Sequence, residues 1–279
     1  MKKPVKVLFC CFGILCIIAI LYVALPHYPM QQPSVWPVEH STVHFSVDDV
    51  NDIVLSLHDG NKNSIFEDTL LSLLKQWHDS YGIVAGLYVQ GPFIVNSHYT
   101  DEIIDNSDWL RWGYHGVGSQ RRKTGIGSFL RQVRDSIGTT QILDKTVRVD
   151  YYHADLLTCL KYRLYGYKAF YTADDWGYNA ENRMTNYYLS TSQNNLLEET
   201  DILSDAIHDI TFIKTDYRAE RITPPLLQAH IQHIAGNTSN KADLLILFTH
   251  EIFLKSHSER IDSLFNLLHD AEYHFDFPY

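Results

Sequence analysis

Two adjacent carboxylates, Asp48 and Asp49, directly follow a stretch at residues 43–47 in which apolar and polar side chains alternate. This period-2 alternation predicts a half-buried β-strand with the acids at its C-terminal end. Paired carboxylates in such a position can have two different roles, since one can bind a metal ion while the other transfers a proton. An isolated pair of acids is more often solvent-exposed at the end of a strand than functional. Whether this pair is functional therefore depends on the residues at the ends of the other strands.

Other predicted strands also end in residues that bind metals or transfer protons. His115 follows a predicted strand at residues 109–114, Arg148 lies in one at 146–151, and His250 comes just after the very hydrophobic strand at 244–248. Asp175 and Trp176 follow a further strand at 169–172. Buried parallel strands have no reason to end repeatedly in such residues unless that end of the sheet is solvated or functional.

Strand-like and helix-like segments alternate along the chain, which predicts parallel pairing. The predicted strands cover residues 42–47, 83–89, 109–114, 146–151, 169–172, 210–214 and 244–248. Predicted helices lie at residues 66–77, 129–137, 155–165 and 261–268, with another after Pro224 and Pro225. About seven such units predict a single-domain α/β fold, a distorted (β/α)7-type barrel, with its active site at the carboxyl ends of the strands. A doubly wound open sheet is the alternative, and it would place its ligand at the same ends.

The N-terminal segment differs in composition from the rest of the chain. Residues 7–25 are uncharged and almost wholly apolar, and Lys2, Lys3 and Lys6 precede them. This length suffices for a transmembrane helix, whereas a cleaved signal peptide would have a shorter apolar region followed by small residues. We therefore expect a cytoplasmic basic end and transmembrane signal anchor at residues 1–26, a linker at 27–40, and a domain at 41–279 outside the cytoplasm.

Composition argues against two other classes of protein. The formal net charge is -10, and the lysines and arginines are scattered, so the chain lacks the basic surface of a nucleic-acid-binding protein. Cys159 is the one cysteine outside the N-terminal segment, so a disulfide framework is not expected in the domain.

The order of these residues resembles the polysaccharide deacetylases, a family of metal-dependent carbohydrate esterases with a distorted barrel. Ser-Val-Asp-Asp-Val at residues 46–50 is similar to the family's Thr-Phe-Asp-Asp-Gly, and Arg-Val-Asp-Tyr at 148–151 to its Arg-x-Pro-Tyr. His115 matches the first histidine of the family's His-(Ser/Thr)-x-x-x-His motif, but Ser119 occurs four residues later. Asp-Trp at 175–176 and Leu-Phe-Thr-His at 247–250 resemble the last two motifs. The similarity extends over residues 42–268.

The resemblance implies a role for each matched residue. Asp48 would be the catalytic base and Arg148 would orient it, whereas Asp49, His115 and Ser119 would bind a divalent metal, most plausibly zinc. His250 would be the general acid, and Asp175 would belong to the catalytic group. Tyr151 would contact the substrate and stabilise the oxyanion, and flat side chains at Trp176, Trp112 and Tyr114 would stack on a sugar ring.

The resemblance leaves the metal site and the function open. A hydroxyl is a poor zinc ligand, so His153, Asp150 or Asp216 could replace Ser119 in binding the metal, or the site could have lost its metal. The leading hypothesis is a membrane-anchored enzyme that removes acetyl groups from an extracytoplasmic polysaccharide or glycan. The alternatives are an inactive glycan-binding relative and a glycosidase that uses Asp48 with Asp175 or Glu251.

Overall fold

The computed structural model describes residues 13–16, 40–116, 125–174, 186–236 and 242–278. Its strands are β1 (Thr42–Val50), β2 (Ala85–Val89), β3 (Leu110–Gly116), β4 (Leu143–Val149), β5 (Ala169–Tyr171), β6 (Ile202–Asp205), β7 (Ile210–Ile213), β8 (Tyr217–Arg218), β9 (Leu244–His250) and β10 (His274–Phe275). Its helices are α1 (Asp52–Ser56), α2 (Thr69–Tyr81), α3 (Thr100–Asp105), α4 (Ile126–Ile137), α5 (Leu156–Leu164), α6 (Thr191–Thr200), α7 (Pro224–Gly236), α8 (Glu251–Leu254) and α9 (Ser258–Asp270).

All ten strands belong to one sheet, in the order β6-β7-β5-β4-β3-β2-β1-β9-β8, and β10 pairs with the beginning of β1. Every neighbouring pair is parallel except β6 and β7, which form an antiparallel hairpin. Within the described segments, no strand pairing joins β6 to β8 at the two ends of this order. The sheet is therefore an open barrel rather than a closed one.

The curvature of the sheet is visible in one contact across its interior. Three strands separate β1 from β5, so a flat sheet would place these two strands about 19 Å apart. The rings of His44 on β1 and Tyr171 on β5 nevertheless stack with their centroids 5.5 Å apart. The sheet must therefore curl strongly, which brings the ends of distant strands together at one pole.

Side chains from the two faces of the sheet enter different layers of the core. On the outer face, Phe45 packs edge-to-face against Trp77 of α2 and Phe265 of α9, with centroids 6.5 and 5.0 Å away. Helix α2 begins where the Asp68 carboxylate accepts hydrogen bonds from two backbone N–H groups, and it ends at Gly82, whose φ of 72° suits glycine. The concave face holds a smaller apolar cluster together with buried polar groups.

The sequence predicts the α/β class and the segments that form most of the parallel strands, and the structure confirms both. Helix α6 was not predicted, and neither were β6 and β8, two short strands that lack a clear period. The boundaries proposed for the linker and the domain stay predictions.

No helix in the described part of the chain has the length and apolar character needed to cross a membrane. The transmembrane segment predicted at residues 7–25 lies outside the described residues, apart from residues 13–16.

Candidate functional site

Strand register brings the predicted acids and bases to one end of the barrel. Asp48, near the end of β1, lies opposite His250 at the end of β9. Two strands away, His115 of β3 lies opposite Arg148 of β4. The curvature of the sheet then turns these four side chains towards one pocket.

Asp48 and Arg148 form a buried ion pair at the base of this pocket. The Asp48 Oδ2 atom lies 3.0 Å from Arg148 Nε, and the side chains are 3% and 1% exposed. The guanidinium also donates hydrogen bonds to the hydroxyl oxygens of Ser46, at 3.3 Å, and Thr215, at 3.1 Å. Because these acceptors lie on β1 and on the segment between β7 and β8, the arginine is fixed from several directions.

Two aromatic rings also pack against the same guanidinium. Its central carbon lies 4.7 Å from the ring centroid of Tyr171 and 4.5 Å from that of Phe248. Such cation–π contacts strengthen when water is excluded, as it is here. Arg148 therefore presents a fixed positive charge to Asp48.

Burial raises the pKa of the Asp48 carboxyl above its ordinary value, although the charges of Arg148, His115 and His250 lower it in part. The Asp48 Oδ1 atom is buried and accepts no hydrogen bond from any described residue. A buried carboxylate oxygen without a donor is costly, so this atom is poised to accept a proton or a hydrogen bond from a molecule in the pocket.

Asp49 turns out of the strand in the left-handed backbone region, with φ 59°. Its carboxylate accepts a hydrogen bond from the Gln90 side chain, and its backbone oxygen accepts one from Asn51 at 2.9 Å. Glu251 fixes the next residues, because its carboxylate accepts three backbone N–H groups, from Asn51, Asp52 and Ile53, each at 2.8 Å. The turn therefore holds Asp49 beside His115.

Two side-chain atoms, one in this turn and one on β3, lie close enough to share a divalent ion. The Asp49 Oδ1 atom lies 3.6 Å from His115 Nε2. Two ligand bonds of about 2.1 Å can span up to about 4.2 Å, so both atoms can reach one ion. Among the described residues, no group of three His, Cys, Asp or Glu side chains converges on one point. Asp49 and His115 therefore stay the predicted ligands of a candidate metal site.

His250 is held by a carboxylate on its far side. Its Nδ1 atom lies 3.1 Å from Oε1 of Glu220, which is 4% exposed. Burial lowers the pKa of His250, but the hydrogen bond to Glu220 and the charges of Asp48 and Asp49 outweigh burial, so its pKa is raised above 6.5. The hydrogen bond and the nearby charges thus favour the protonated form of His250.

The pocket between these groups has a volume of about 140 Å³ and a wall that is mostly polar. Asp150, Tyr151, Tyr152 and Arg218 complete the wall around the four strand-end residues and Asp49. Tyr151 and Tyr152 both have left-handed backbone angles, with φ 56° and 53°. The Tyr151 side chain is 61% exposed, so it lies at the mouth of the pocket.

Comparison with solved structures identifies the fold. A crystal structure designated a polysaccharide deacetylase, from Mycobacterium smegmatis, superposes with a TM-score of 0.53 over 88% of this chain and 90% of that one, at 9% identity. The chain has a polysaccharide deacetylase-like fold.

Two further structures are similar to this chain at lower TM-scores. One, from Bordetella bronchiseptica, is designated a polysaccharide deacetylase involved in O-antigen biosynthesis (TM-score 0.39, 10% identity, 82% of this chain and 78% of that one). The other is the Bc1960 peptidoglycan N-acetylglucosamine deacetylase (TM-score 0.38, 12% identity, 86% and 87%). No family model matches the sequence, and no curated protein is detectably similar to it.

Within the polysaccharide deacetylase-like fold, Asp48, Asp49, His115, Arg148, Tyr151 and His250 all line the pocket. Trp112 and Tyr114 do not, so their assignment to sugar stacking needs correction. Both rings are buried, at 1% and 2% exposure, because alternation along β3 points them to the outer face while His115 points inward. Ser119, Asp175 and Trp176 lie outside the described residues.

Three other acids considered in the sequence analysis differ in their availability. Asp216 is occupied elsewhere, since its carboxylate accepts the backbone N–H of Ile246 at 2.8 Å and pairs with Lys214 at 3.0 Å. Glu251 is occupied in holding the turn after β1, which weighs against its use as the second acid of a glycosidase. Asp150 lines the pocket and is the described alternative to Ser119 as a metal ligand.

Sequence reasoning missed several residues that shape the site. Gln90 directly follows β2, so the rule that found Asp48 could have found it. Glu220 lies in a charged segment after β8, and nothing in its spacing indicates that it contacts His250. Ser46 and Thr215 are ordinary strand or loop residues whose role appears only when the barrel brings them to Arg148.

Proposed function

We propose that this protein is a metal-dependent hydrolase that removes acetyl groups from an extracytoplasmic polysaccharide or glycan. The observation that carries the proposal is the unpaired, buried Oδ1 atom of Asp48, which lines a polar pocket beside Asp49 and His115. The polysaccharide deacetylase-like fold supports the same reaction class, since its solved neighbours are designated deacetylases.

Asp48 acts as the general base in this account. Its Oδ2 atom is held by Arg148, so Oδ1 is the atom that takes a proton from water attacking the acetyl carbonyl. The fixed geometry matters because a base must lie within hydrogen-bonding reach of the proton it removes. Arg148 touches Asp48 rather than the substrate, so it is a positioning residue.

Asp49 and His115 would hold the divalent ion, and Ser119 or Asp150 would supply a further ligand. When bound, the ion contributes Lewis acidity towards the acetyl carbonyl, and zinc is the metal we favour. Of these two residues, Asp49 is kept in place by Gln90 and by the turn that Glu251 anchors.

His250 acts as the general acid. Its pKa is raised above the ordinary 6.5, which favours the imidazolium form that would protonate the departing amine or alkoxide. It lies opposite Asp48 in register, which places proton acceptor and proton donor on neighbouring strands at the pocket. Asp175 stays a predicted member of the catalytic group.

The exposed Tyr151 at the pocket mouth is our proposed contact with the sugar, with Trp176 as a second contact. A polysaccharide substrate outside the cytoplasm agrees with the apolar segment at residues 7–25, which we propose to be a single-pass signal anchor. Protease treatment of intact cells that express the full chain would digest the domain if this orientation is correct, and would leave it intact if the domain is cytoplasmic.

The reaction is tested by incubating the full chain, supplied with zinc or cobalt, with N-acetylglucosamine oligomers and with acetylated xylan. Released acetate and new reducing ends are measured together. The proposal predicts acetate without new reducing ends. New reducing ends without acetate would instead indicate a glycosidase, and binding of the oligomers without either product would indicate a glycan-binding protein.

A further inference from the structure

Three buried carboxylates lie in or directly behind the pocket wall, and each pairs with a basic residue that lines the pocket. Asp48 pairs with Arg148 at 3.0 Å, and Asp174 pairs with Arg218 through two hydrogen bonds of 2.8 and 3.0 Å. The third pair is Glu220 with His250, at 3.1 Å.

These three pairs differ in their ability to release a proton. The guanidinium of arginine stays charged at any pH that a protein tolerates, so the first two pairs cannot donate one. An imidazole titrates near neutral pH, so the Glu220–His250 pair is the one that can. The chemistry of the pairs thus separates a proton-donating pair from two fixed ion pairs.

The geometry of His250 shows which of its two nitrogens is available. Glu220 occupies Nδ1, and a carboxylate that accepts from Nδ1–H keeps the proton there in the neutral ring. The rings of Phe248 and Phe253 pack edge-to-face against the imidazole, with centroids 5.5 and 6.0 Å away. The ring cannot turn without breaking the bond to Glu220, so Nε2 is the nitrogen left for the substrate.

Glu220 is itself fixed in place. Its side chain is almost fully buried, and its backbone oxygen accepts a hydrogen bond of 2.6 Å from Arg260 of α9. A buried carboxylate is costly unless a partner compensates it, and the His250 imidazolium is such a partner. Glu220 is therefore unlike the exposed acids of the surface, whose partners can be lost at little cost.

We propose that Glu220 is the positioning residue of the general acid, fixing the tautomer and orientation of His250 so that Nε2–H is presented to the leaving group. The inference rests on the proposed function for its catalytic consequence. The residue that positions His250 thus comes from the segment after β8. Asp174, the described acid after β5, instead accepts hydrogen bonds from Arg218.

The test compares Glu220→Gln with the unmodified full chain and with Glu259→Gln, which removes the same charge from an exposed position on α9. Two readouts are used. The first is the state of His250 by NMR of ¹⁵N-histidine-labelled protein, assigned with His250→Asn. The groups whose charges act on this ring are Glu220, Asp48 and Asp49.

The second readout is kcat/KM on two acetyl donors. Acetylated xylan releases a strongly basic alkoxide that needs protonation, whereas 4-nitrophenyl acetate releases a weakly basic phenolate that does not. Proton transfer typically contributes a factor of about 10² to 10⁴. We expect Glu220→Gln to lose at least about tenfold on xylan while retaining its rate on the phenyl ester, because only the former depends on the acid.

Glu220→Gln should also lower the titration midpoint of His250 and reduce the population of its Nδ1–H tautomer, and Glu259→Gln should change neither. An unchanged tautomer and midpoint would overturn the inference, as would an equal loss on both esters. If the unmodified protein releases no acetate from any substrate, the proposed function fails, and the NMR result still decides whether Glu220 positions His250.

Discussion

The Nε atom of Arg148 lies 3.0 Å from Oδ2 of Asp48, and both side chains are almost completely buried. This pair connects β4 to β1 across the inside of the curved sheet. Because the remaining guanidinium nitrogens bind Ser46 and Thr215, one side chain both holds the base and joins β4 to β1 and to the segment after β7. Arg148 therefore both stabilises the fold and positions the proposed catalytic base.

Substitution Arg148→Met should destabilise the fold by about 3 to 5 kcal/mol, since it leaves the Asp48 carboxylate buried without its partner. Urea denaturation at pH 7 measures the free energy of unfolding. The double variant Arg148→Met with Asp48→Asn should recover part of this loss, because no unpaired charge remains. A single variant as stable as the unmodified protein would contradict the view that Asp48 is ionised in the folded state.

Metal content should depend on the two described ligands. The protein expressed with zinc or cobalt available should contain about one metal ion per chain, and His115→Ala should reduce that content strongly because it removes one of the ligands. His153→Ala is the matched control, since His153 is exposed and does not line the pocket. Elemental analysis decides the matter, and equal metal content in both variants would show that the ion is held elsewhere.

The rate of acetyl hydrolysis should fall at high pH as His250 loses its proton. Its pKa is raised, mainly because the hydrogen bond to Glu220 outweighs the effect of burial, so the fall should begin above the ordinary value of 6.5. A pH profile of kcat/KM on acetylated xylan measures this limb. A rate that keeps rising through this range would argue against His250 as the acid.

His44 should make the protein sensitive to acid. Burial lowers its pKa to about 4, although the charge of Asp144 opposes this effect and that of Arg148 adds to it. The unfolded chain binds this proton near pH 6.5, whereas the folded protein does so near pH 4. The free energy of unfolding is therefore not reduced by His44 above pH 6.5. It falls by about 3 kcal/mol as the pH is lowered to 4, at 1.36 kcal/mol per pH unit.

The variant His44→Gln removes this titration, so its free energy of unfolding should decline less between pH 7 and pH 4 than that of the unmodified protein. His269→Gln, at an exposed position, serves as the control. Urea denaturation at several pH values gives the comparison. Parallel declines in His44→Gln and the unmodified protein would show that His44 is not buried as a neutral ring.

The sequence predicts local features of the site better than the contacts between strands. Alternation along β1 predicted a strand with Asp48 at its C-terminal end. The search for polar residues that follow predicted strands likewise pointed to His115 and His250. The rule does not tell which face of a strand is the inner one when both faces are buried. For this reason Trp112 and Tyr114 were expected at the pocket, although β3 turns them into the outer core.

The missed residues share a physical cause. Glu220 reaches His250 from a segment after β8, a strand of two residues that leaves no periodic signal in the sequence. Thr215 binds Arg148 only because the sheet curls by the amount seen in the His44–Tyr171 contact. Curvature depends on the packing of all strands together, so no single segment encodes it.

The central claim is that Asp48 removes a proton during acetyl hydrolysis. It is tested most directly by the rate of acetate release from acetylated glycans by Asp48→Asn, compared with Asp52→Asn, which removes a charge from an exposed position four residues later. The account predicts a loss of about 10² to 10⁴ in kcat for Asp48→Asn, the usual contribution of a general base, and no loss for Asp52→Asn. Acetate release by Asp48→Asn at the rate of the unmodified protein would contradict it.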